Sequence, residues 1–215
     1  MQIGILGSGE VGQALGLGFI KFGHEVKIGS RDPDSDKLKP WLAKAGKKAS
    51  TGSFEDTARF ADIAVLATLW SGTESALKLA GTPASLSGKL VMDVTNPLIY
   101  ESGKPPRLAL AQDDSGGEQV QRWLPQSKVV KAFNTVGHAH MVDPKFPGGP
   151  PDMFICGEDA SAKQVVAGIC KNFGWGVVDA GGIAGARQLE PLCILWVQYG
   201  LSTGRWAHAF KLLRG

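Results

Sequence analysis

Near its start the chain carries the pattern Gly7-Ser8-Gly9-Glu10-Val11-Gly12, in which three glycines stand at fixed spacing. An apolar run over residues 2–6 precedes the pattern and predicts a buried strand, and residues 11–22 predict a helix. In this context the first glycine permits a tight turn, the second lets backbone amides approach a pyrophosphate, and the third allows close helix packing. The pattern therefore predicts a dinucleotide-binding loop at a helix N-terminus. A glycine turn without a ligand is the alternative.

The second predicted strand, over residues 24–29, is followed by Ser30 and Arg31. A protein that binds NAD usually has an acidic residue here to hold the ribose 2′-hydroxyl, and a carboxylate would repel a 2′-phosphate. A hydroxyl and a guanidinium bind such a phosphate, each charge-assisted bond contributing about 1.5–3 kcal/mol. The pair favours NADP over NAD. The alternative is that Arg31 is a solvated loop charge and that Asp32 binds the ribose.

Further strands are predicted at residues 63–67, 90–94 and 129–133, each a short apolar run typical of a doubly covered parallel strand. Ligands of an open parallel sheet bind outside the carboxyl ends of its strands. Besides the glycine loop, the residues predicted to line that crevice and bind the cofactor are Thr68, Leu69, Trp70, Asn96, Pro97, Asn134 and Thr135.

Among these residues, Asn96 and Asn134 can donate and accept hydrogen bonds, which suits a carboxamide or a ring edge. Trp70 offers a flat apolar wall. The alternatives are that Asn96, before Pro97, closes its own backbone turn, and that Trp70 is ordinary core.

His138 and His140 form an HxH pattern that would place both imidazoles on one face of a strand. Asp143 is the only nearby third ligand, so we predict no metal site. His138 is instead the candidate catalytic proton donor, because histidine titrates near neutrality. The sequence has no hydrolase or metalloprotease motif. This agrees with hydride transfer between two bound rings, in which the protein mainly positions the reactants.

The bulk composition of the 215-residue chain, with a formal net charge of +3, is that of an ordinary soluble protein and does not predict nucleic-acid binding. The apolar run at residues 192–197 is far shorter than the roughly 20 residues of a membrane span. The three cysteines form no CxxC pair and are interpreted as buried thiols in a reducing compartment. We therefore expect a cytoplasmic protein with no membrane partner.

Alternating strands and helices predict an α/β fold, a doubly wound Rossmann parallel sheet. Residues 1–145 are interpreted as an NADP-binding Rossmann domain. Residues 146–215 are interpreted as a small C-terminal α/β segment, in which Pro191 opens a long helix toward Leu213. Because residues 192–201 are strongly apolar, this helix either packs on its own domain or forms a homodimer contact.

The predicted helix starts are marked by polar side chains. We expect capping boxes at residues 71–74 and 115–118, and a cap formed by Ser53 and Asp56.

Five sequence blocks give the chain a family resemblance: residues 3–12, Gly29-Ser30-Arg31-Asp32-Pro33, Asp93-Val94-Thr95-Asn96-Pro97, Lys131-Ala132-Phe133-Asn134-Thr135 and Ala186-Arg187-Gln188-Leu189-Glu190. The chain resembles the F420-dependent NADP oxidoreductases and, more distantly, the cytosolic NADPH-binding domain of the STEAP ferric reductases. The resemblance implies a Rossmann domain with a small C-terminal part and an acceptor in the cleft between them. It also implies that Ser30 and Arg31 bind NADP, and that Trp70, Asn134, Thr135 and residues 181–187 border the acceptor.

The reaction so implied is hydride transfer between NADP(H) and a flat redox acceptor, either the deazaflavin F420 or a flavin. Two alternatives stay open at this point. One is a redox sensor that binds NADP(H) without turnover. The other is a reductase of a small carbonyl or imine substrate in which His138 is the acid.

Overall fold

The structure is a computed structural model, which describes residues 1–214. Its strands are β1 (Gln2–Leu6), β2 (Glu25–Gly29), β3 (Ala49–Gly52), β4 (Ile63–Leu66), β5 (Leu90–Asp93), β6 (Leu98–Ile99), β7 (Arg107–Leu108), β8 (Lys128–Lys131), β9 (Asp152–Ile155) and β10 (Gly176–Asp179). Its α-helices are α1 (Glu10–Lys21), α2 (Lys39–Ala45), α3 (Phe54–Phe60), α4 (Trp70–Leu79), α5 (Gly116–Trp123), α6 (Ala160–Asn172) and α7 (Ala186–Thr203).

Six of the strands form one parallel sheet in the order β3-β2-β1-β4-β5-β8. This is the Rossmann arrangement, in which the strand order reverses beside the first strand. The predicted strands at residues 63–67, 90–94 and 129–133 are confirmed within one or two residues at either end. The sequence reading missed β3, because Ala-Ser-Thr-Gly carries no apolar run and the strand lies at the sheet edge.

The sheet is covered on both faces by apolar clusters. One cluster contains Ile3, Phe19 and Val130 together with Met153 and Phe173, and a second contains Leu6, Leu66 and Leu77 among others. The first cluster therefore packs residues from both sides of the predicted boundary at residue 146. The division into two domains stays a prediction. The last residue of the predicted C-terminal segment, Gly215, lies outside the described residues.

The C-terminal part is a two-stranded parallel sheet, β9 with β10, covered by α6. An antiparallel bridge between Lys131 and Cys156 joins it to the edge of the main sheet. Over residues 1–214, no helix is both long and apolar enough to span a membrane.

The predicted start of the last helix at Pro191 is wrong, since α7 begins at Ala186 and contains Pro191. Ala186 and Leu189 are buried in the core, so tertiary packing holds the turn before the proline in the helix. The helix also ends earlier than predicted, at Thr203, where Gly204 takes a left-handed φ of 68°.

After α7 the chain turns back on itself. The backbone N–H of Asp152 donates to Phe210 O at 2.9 Å, which ties the tail to the start of β9.

Two of the predicted helix caps are present and one is not. Ser53 caps α3, and its hydroxyl accepts from the Asp56 N–H at 3.0 Å in a reciprocal capping box. Ser115 accepts from the Glu118 N–H at 3.2 Å at the start of α5. The cap predicted at Ser71 is wrong, because α4 already begins at Trp70 and the chain turns at Leu69, whose carbonyl accepts from the Gly72 N–H at 2.9 Å.

Ser53 caps its helix and Ser71 does not, so the two serines should differ in their effect on stability when each is replaced. Ser53→Ala is expected to lower the free energy of unfolding by about 1 kcal/mol, because the cap bond to Asp56 is lost. Ser71→Ala is the matched control and should change the free energy by less than about 0.5 kcal/mol. Urea unfolding of both variants measures the effect, and equal losses would contradict the cap assignment.

Candidate functional site

A cleft of about 850 Å³ opens where β1, β2, β4 and β5 end. Eleven of the sequence-predicted residues line it: Gly7, Ser8, Gly9, Glu10, Val11, Ser30, Arg31, Thr68, Leu69, Trp70 and Asn96. The predicted residues Gly12, Pro97, Asn134, Thr135 and His138 are not among the residues that line the cleft in the described chain. The structure therefore brings together most of the predicted site from segments far apart in sequence.

The glycine loop has the local structure that a phosphate cradle requires. Gly7 has a φ of 128°, and a Cβ there would press into the Ala67 carbonyl. A Cβ on Gly12 would press into the Gly7 carbonyl, so Gly12 packs the helix onto the turn, as predicted. A Cβ on Gly9 would meet nothing within 4 Å, because this residue faces the open cleft.

Gly9 is the N-cap residue of α1, and no side chain caps this end of the helix. Its first amides are therefore available to an anion, and the helix dipole favours one there. The space at Gly9 and the uncapped helix end together fit the pyrophosphate of a dinucleotide.

The end of β2 presents two hydroxyls and a guanidinium. Ser8 Oγ lies 3.4 Å from Ser30 Oγ, which also accepts the backbone N–H of Asp32 at 3.2 Å. The exposed Arg31 lines the cleft and forms no salt bridge with any residue of the described chain, whereas Asp32 does not line the cleft. The groups facing the cleft here are therefore those that suit a 2′-phosphate rather than a free 2′-hydroxyl.

The cleft also carries exposed apolar side chains. Leu69 is 74% exposed, Tyr100 67% and Leu79 52%, and all three line the cleft. Trp70 stacks on Trp123 with ring centroids 5.6 Å apart. Exposed apolar groups that line a concave site mark a ligand surface. Sequence reasoning missed both Leu79 and Tyr100, because Leu79 is the last residue of α4 and Tyr100 follows β6, a two-residue strand that was not predicted.

Trp70 also borders a smaller neighbouring cavity of about 400 Å³, lined by residues of α4, α5 and the loop at Ala109 and Leu110. The indole is thus both a cavity wall and a packing partner of Trp123. Its role in binding the cofactor stays a prediction.

Asn134 does not reach the cleft. It is 3% exposed, and its Nδ2 donates to Asn96 Oδ1 at 3.1 Å and to Leu189 O at 2.8 Å. Asn96 in turn donates from Nδ2 to Asn134 O at 2.9 Å. Thr135 and Pro97 are also buried. Of the residues after β5 and β8 that were predicted to bind the cofactor, only Asn96 faces the cleft.

The predicted placement of His138 and His140 on a strand is wrong, because residues His138–His140 form a 3₁₀ turn. The two imidazoles therefore do not share a strand face. His138 is 44% exposed, and its Nδ1 lies 3.5 Å from Oε2 of Glu10, which does line the cleft. In residues 1–214 no group of three or more His, Cys, Asp or Glu is arranged to hold a metal ion.

Below the cleft lies a cluster of buried charges that sequence reasoning missed. Lys131 Nζ lies 2.7 Å from Asp93 Oδ2 and 3.1 Å from Glu190 Oε1, and all three side chains are at most 1% exposed. Lys131 also donates to Thr95 O at 2.8 Å. The signal available in the sequence was one lysine directly after the buried Val129-Val130 pair.

The cluster shifts the pKa values of Lys131 and Glu190. Burial by itself would lower the pKa of Lys131, but the Asp93 and Glu190 carboxylates outweigh it and raise that pKa above its ordinary value. Burial raises the pKa of Glu190, against the opposing effect of Lys131. The carboxylate of Glu190 also accepts the N–H groups of Gly116 and Gly117, each at 2.9 Å, at the start of α5. The cluster therefore joins the ends of β5 and β8 to α5 and α7.

Comparison with known proteins decides the family. The profile of the family described as "NADP oxidoreductase coenzyme F420-dependent" matches residues 2–97. The F420-dependent NADP reductase of Methanocaldococcus jannaschii is 33% identical over 207 residues, which cover 92% of this chain and 91% of that protein. The chain belongs to this family. It is an NADP-dependent oxidoreductase.

Other relatives agree with the family assignment. A crystal structure from Arthrobacter sp. FB24, described as an F420-dependent NADP-reductase, superposes with a TM-score of 0.94 at 38% identity and covers 100% of both chains. The rat metalloreductase STEAP3 is 28% identical over 193 residues, but the matched part is only 36% of that protein. An imine reductase from Myxococcus stipitatus in complex with NADP⁺, at 22% identity and a TM-score of 0.67, shares the fold.

The family resemblance also implied acceptor contacts at residues 181–187. Here Arg187 is paired with Glu118, with Nε 2.8 Å from Oε2 and the second guanidinium nitrogen 2.6 Å from Oε1. Glu118 is held as well by the Ser115 hydroxyl at 2.7 Å. In this member of the F420-dependent NADP oxidoreductase family, Arg187 joins α7 to α5, and it is not among the residues that line the large cleft.

Proposed function

We propose that the protein transfers hydride between NADP(H) and a flat redox acceptor, the deazaflavin F420 or a flavin, bound in the cleft beside the nicotinamide. The observation that carries the proposal is the polarity of the cleft. The residues that follow β1 and β2 present amides, hydroxyls and Arg31, while those that follow β4 and β6 present Leu69, Trp70 and Tyr100. An anionic dinucleotide that lies along the sheet would place its phosphates beside β1 and β2 and its nicotinamide ring beside β4 and β6.

NADPH supplies the hydride, and the acceptor ring takes the hydride together with a proton from water. The protein holds the two rings together and excludes solvent between them. Gly9 and the start of α1 would hold the pyrophosphate, Ser8, Ser30 and Arg31 the 2′-phosphate, and Asn96 and Thr68 the nicotinamide end. The exposed apolar side chains of Leu69, Leu79 and Tyr100 would contact the acceptor ring.

Anaerobic consumption of NADPH, followed by absorbance against F420, FMN, FAD and riboflavin, tests the reaction. Turnover with at least one of these rings is expected. Tight NADPH binding without turnover would overturn the proposal in favour of a redox sensor. Turnover only with small carbonyl or imine compounds would overturn it in favour of the second alternative.

The nucleotide preference is tested by Arg31→Ala. We expect NADPH to bind about 10–100-fold more weakly, corresponding to about 1.4–2.8 kcal/mol, because one or two charged bonds to the 2′-phosphate are lost. NADH lacks that phosphate, so its affinity should be unchanged. Titration of both nucleotides measures the effect.

A matched control for this titration is Arg205→Ala, which removes an exposed arginine beyond the end of α7. It should leave both affinities unaltered. If Arg31→Ala retained the preference for NADPH, the assigned role of Arg31 would be wrong.

One observation favours a role for His138 in the carbonyl or imine alternative. Its Nδ1 lies 3.5 Å from Oε2 of Glu10, a residue that lines the cleft, so the imidazole lies beside the cleft. His138→Gln should then abolish turnover of such substrates while NADPH affinity is kept. Unchanged turnover would exclude His138 as the acid.

We also propose a cytoplasmic location and a homodimer. Cys156, Cys170 and Cys193 are free and buried, which suits a reducing compartment. On α7, Leu195 and Tyr199 are 55% and 46% exposed, which suits contact with a second copy of the chain. Sedimentation of the wild type and of Leu195→Lys tests the dimer, since the lysine should yield monomer only if this face is the interface.

A further inference from the structure

Asn96 and Asn134 are interlocked in a way that leaves only one of them available to a ligand. Each amide nitrogen donates to an oxygen of the other residue, at 2.9 Å and 3.1 Å. Asn134 Nδ2 uses its second hydrogen on Leu189 O at 2.8 Å. Both donors of Asn134 are therefore occupied, and its side chain is enclosed by protein. No donor is left on Asn134 for a nucleotide.

The same bonds determine what Asn96 presents to the cleft. An asparagine amide can normally flip, which exchanges its donor and acceptor ends. Here the Nδ2 end must face Asn134 O and the Oδ1 end must face Asn134 Nδ2. One hydrogen on Nδ2 and one lone pair on Oδ1 are not used in the bonds to Asn134, and Asn96 is partly exposed and lines the cleft. This is one donor and one acceptor in fixed order, the complement of a carboxamide.

We propose that Asn134 is a positioning residue that holds the Asn96 amide in one orientation toward the nicotinamide carboxamide. The proposal rests on the proposed function, because it takes the nicotinamide to lie at the β5 end of the cleft. Asn134 would act only through Asn96.

Leu189, whose carbonyl accepts a hydrogen bond from Asn134, is itself held in place by the buried charge cluster. Leu189 precedes Glu190, whose carboxylate binds Lys131 at 3.1 Å and the two amides at the start of α5. Lys131 also binds the carbonyl of Thr95, the residue before Asn96. The buried charge cluster and the asparagine pair are thus two adjacent sets of contacts, and both hold α7 against the end of β5.

The test compares two ligands for each variant: NADPH, and adenosine 2′,5′-bisphosphate, which lacks the nicotinamide half. The 2′-phosphate end lies at β2, three strands from Asn96 in the sheet order. Asn134→Ala removes the side-chain donor to Asn96 Oδ1 but keeps the backbone carbonyl that accepts from Asn96 Nδ2. The Asn96 amide is then held at one end only, so NADPH should bind about 10-fold more weakly. The affinity for adenosine 2′,5′-bisphosphate should be unchanged. A merely structural loss would weaken both ligands alike.

Ser127→Ala is the matched control, because Ser127 is also buried and its hydroxyl donates to Leu86 O at 2.8 Å at the opposite end of β8. It removes a buried hydrogen bond of comparable kind. It should lower the melting temperature but leave the ratio of the two affinities at the wild-type value.

A double-mutant cycle then separates action through Asn96 from direct contact. In an Asn96→Ala background, adding Asn134→Ala should cause no further loss of NADPH affinity. Additive losses would overturn the proposal, as would an equal loss for both ligands. If Asn134→Ala does not fold, Asn134→Ser keeps a small polar group in the site and takes its place in the cycle.

Failure of the proposal and failure of the proposed function give different results. If NADPH consumption with flat acceptors is absent while the affinity ratio shifts as expected, the reaction is wrong and the positioning role holds. If turnover is present and the ratio does not shift, only the positioning role is wrong.

Discussion

A Gly9→Val variant is expected to fold like the wild type and to lose NADPH affinity by about 100-fold, corresponding to about 2.8 kcal/mol. Gly9 has a φ of −73°, which a valine adopts without strain, and a Cβ there would meet nothing within 4 Å. The added side chain therefore costs the free protein little. It would occupy the space through which a pyrophosphate approaches the amides at the start of α1. The substitution should therefore weaken NADPH binding without lowering the stability of the free protein.

Equilibrium titration of NADPH, with a melting curve of the free protein, measures the two effects separately. Gly12→Ala is the contrasting variant from the same motif. Its Cβ would press into the Gly7 carbonyl, so this variant should lose stability in the absence of any ligand. Normal NADPH affinity in Gly9→Val would show that the phosphates do not bind at this loop.

Lys131→Met lowers the free energy of unfolding by about 3–5 kcal/mol, the largest stability effect that we expect from one substitution in this chain. Methionine fits the volume, so the loss comes from charge. Asp93 and Glu190 would face each other in a dry interior without the ammonium that lies 2.7 Å and 3.1 Å from them. Urea unfolding at neutral pH measures the loss.

The pH dependence of the Lys131→Met variant gives an independent check. Without the ammonium, burial holds the pKa of the Glu190 carboxyl above that of the unfolded chain, so the folded state binds more protons. Stability of the variant should therefore rise as the pH is lowered from neutrality toward the ordinary carboxyl range. A variant that loses stability further on mild acidification would contradict the charge argument.

Two controls bracket this prediction. Lys128→Met removes an exposed ion pair with Asp159 at 3.1 Å and should change the free energy of unfolding by less than about 1 kcal/mol. The triple variant Asp93→Asn, Lys131→Met, Glu190→Gln contains no charge in the cluster and should regain much of the lost stability. If the single and triple variants are equally unstable, the loss comes from packing and not from charge.

The sequence alone was sufficient for the features that depend on local chain chemistry. The spacing of Gly7, Gly9 and Gly12 between an apolar strand and a helix predicts the turn, because each glycine meets a steric demand within a few residues. Most strands of the main sheet follow from short continuous apolar runs, which are typical of doubly covered strands, whereas β3 carries no such run. The crevice residues follow from the parallel sheet, since all its carboxyl ends meet at one edge.

Tertiary structure alone decided which polar groups face the cleft and which are used inside the protein. Asn96 and Asn134 follow equivalent strands and look alike in sequence, but the carbonyl of Leu189 on α7 takes up the second donor of Asn134. In the same way Arg187 forms a salt bridge with Glu118. The carboxylates of Asp93 and Glu190, which come from distant segments, make a buried Lys131 possible. A hydrogen bond is satisfied by whatever the fold brings within about 3 Å, and nothing in the local sequence specifies that partner.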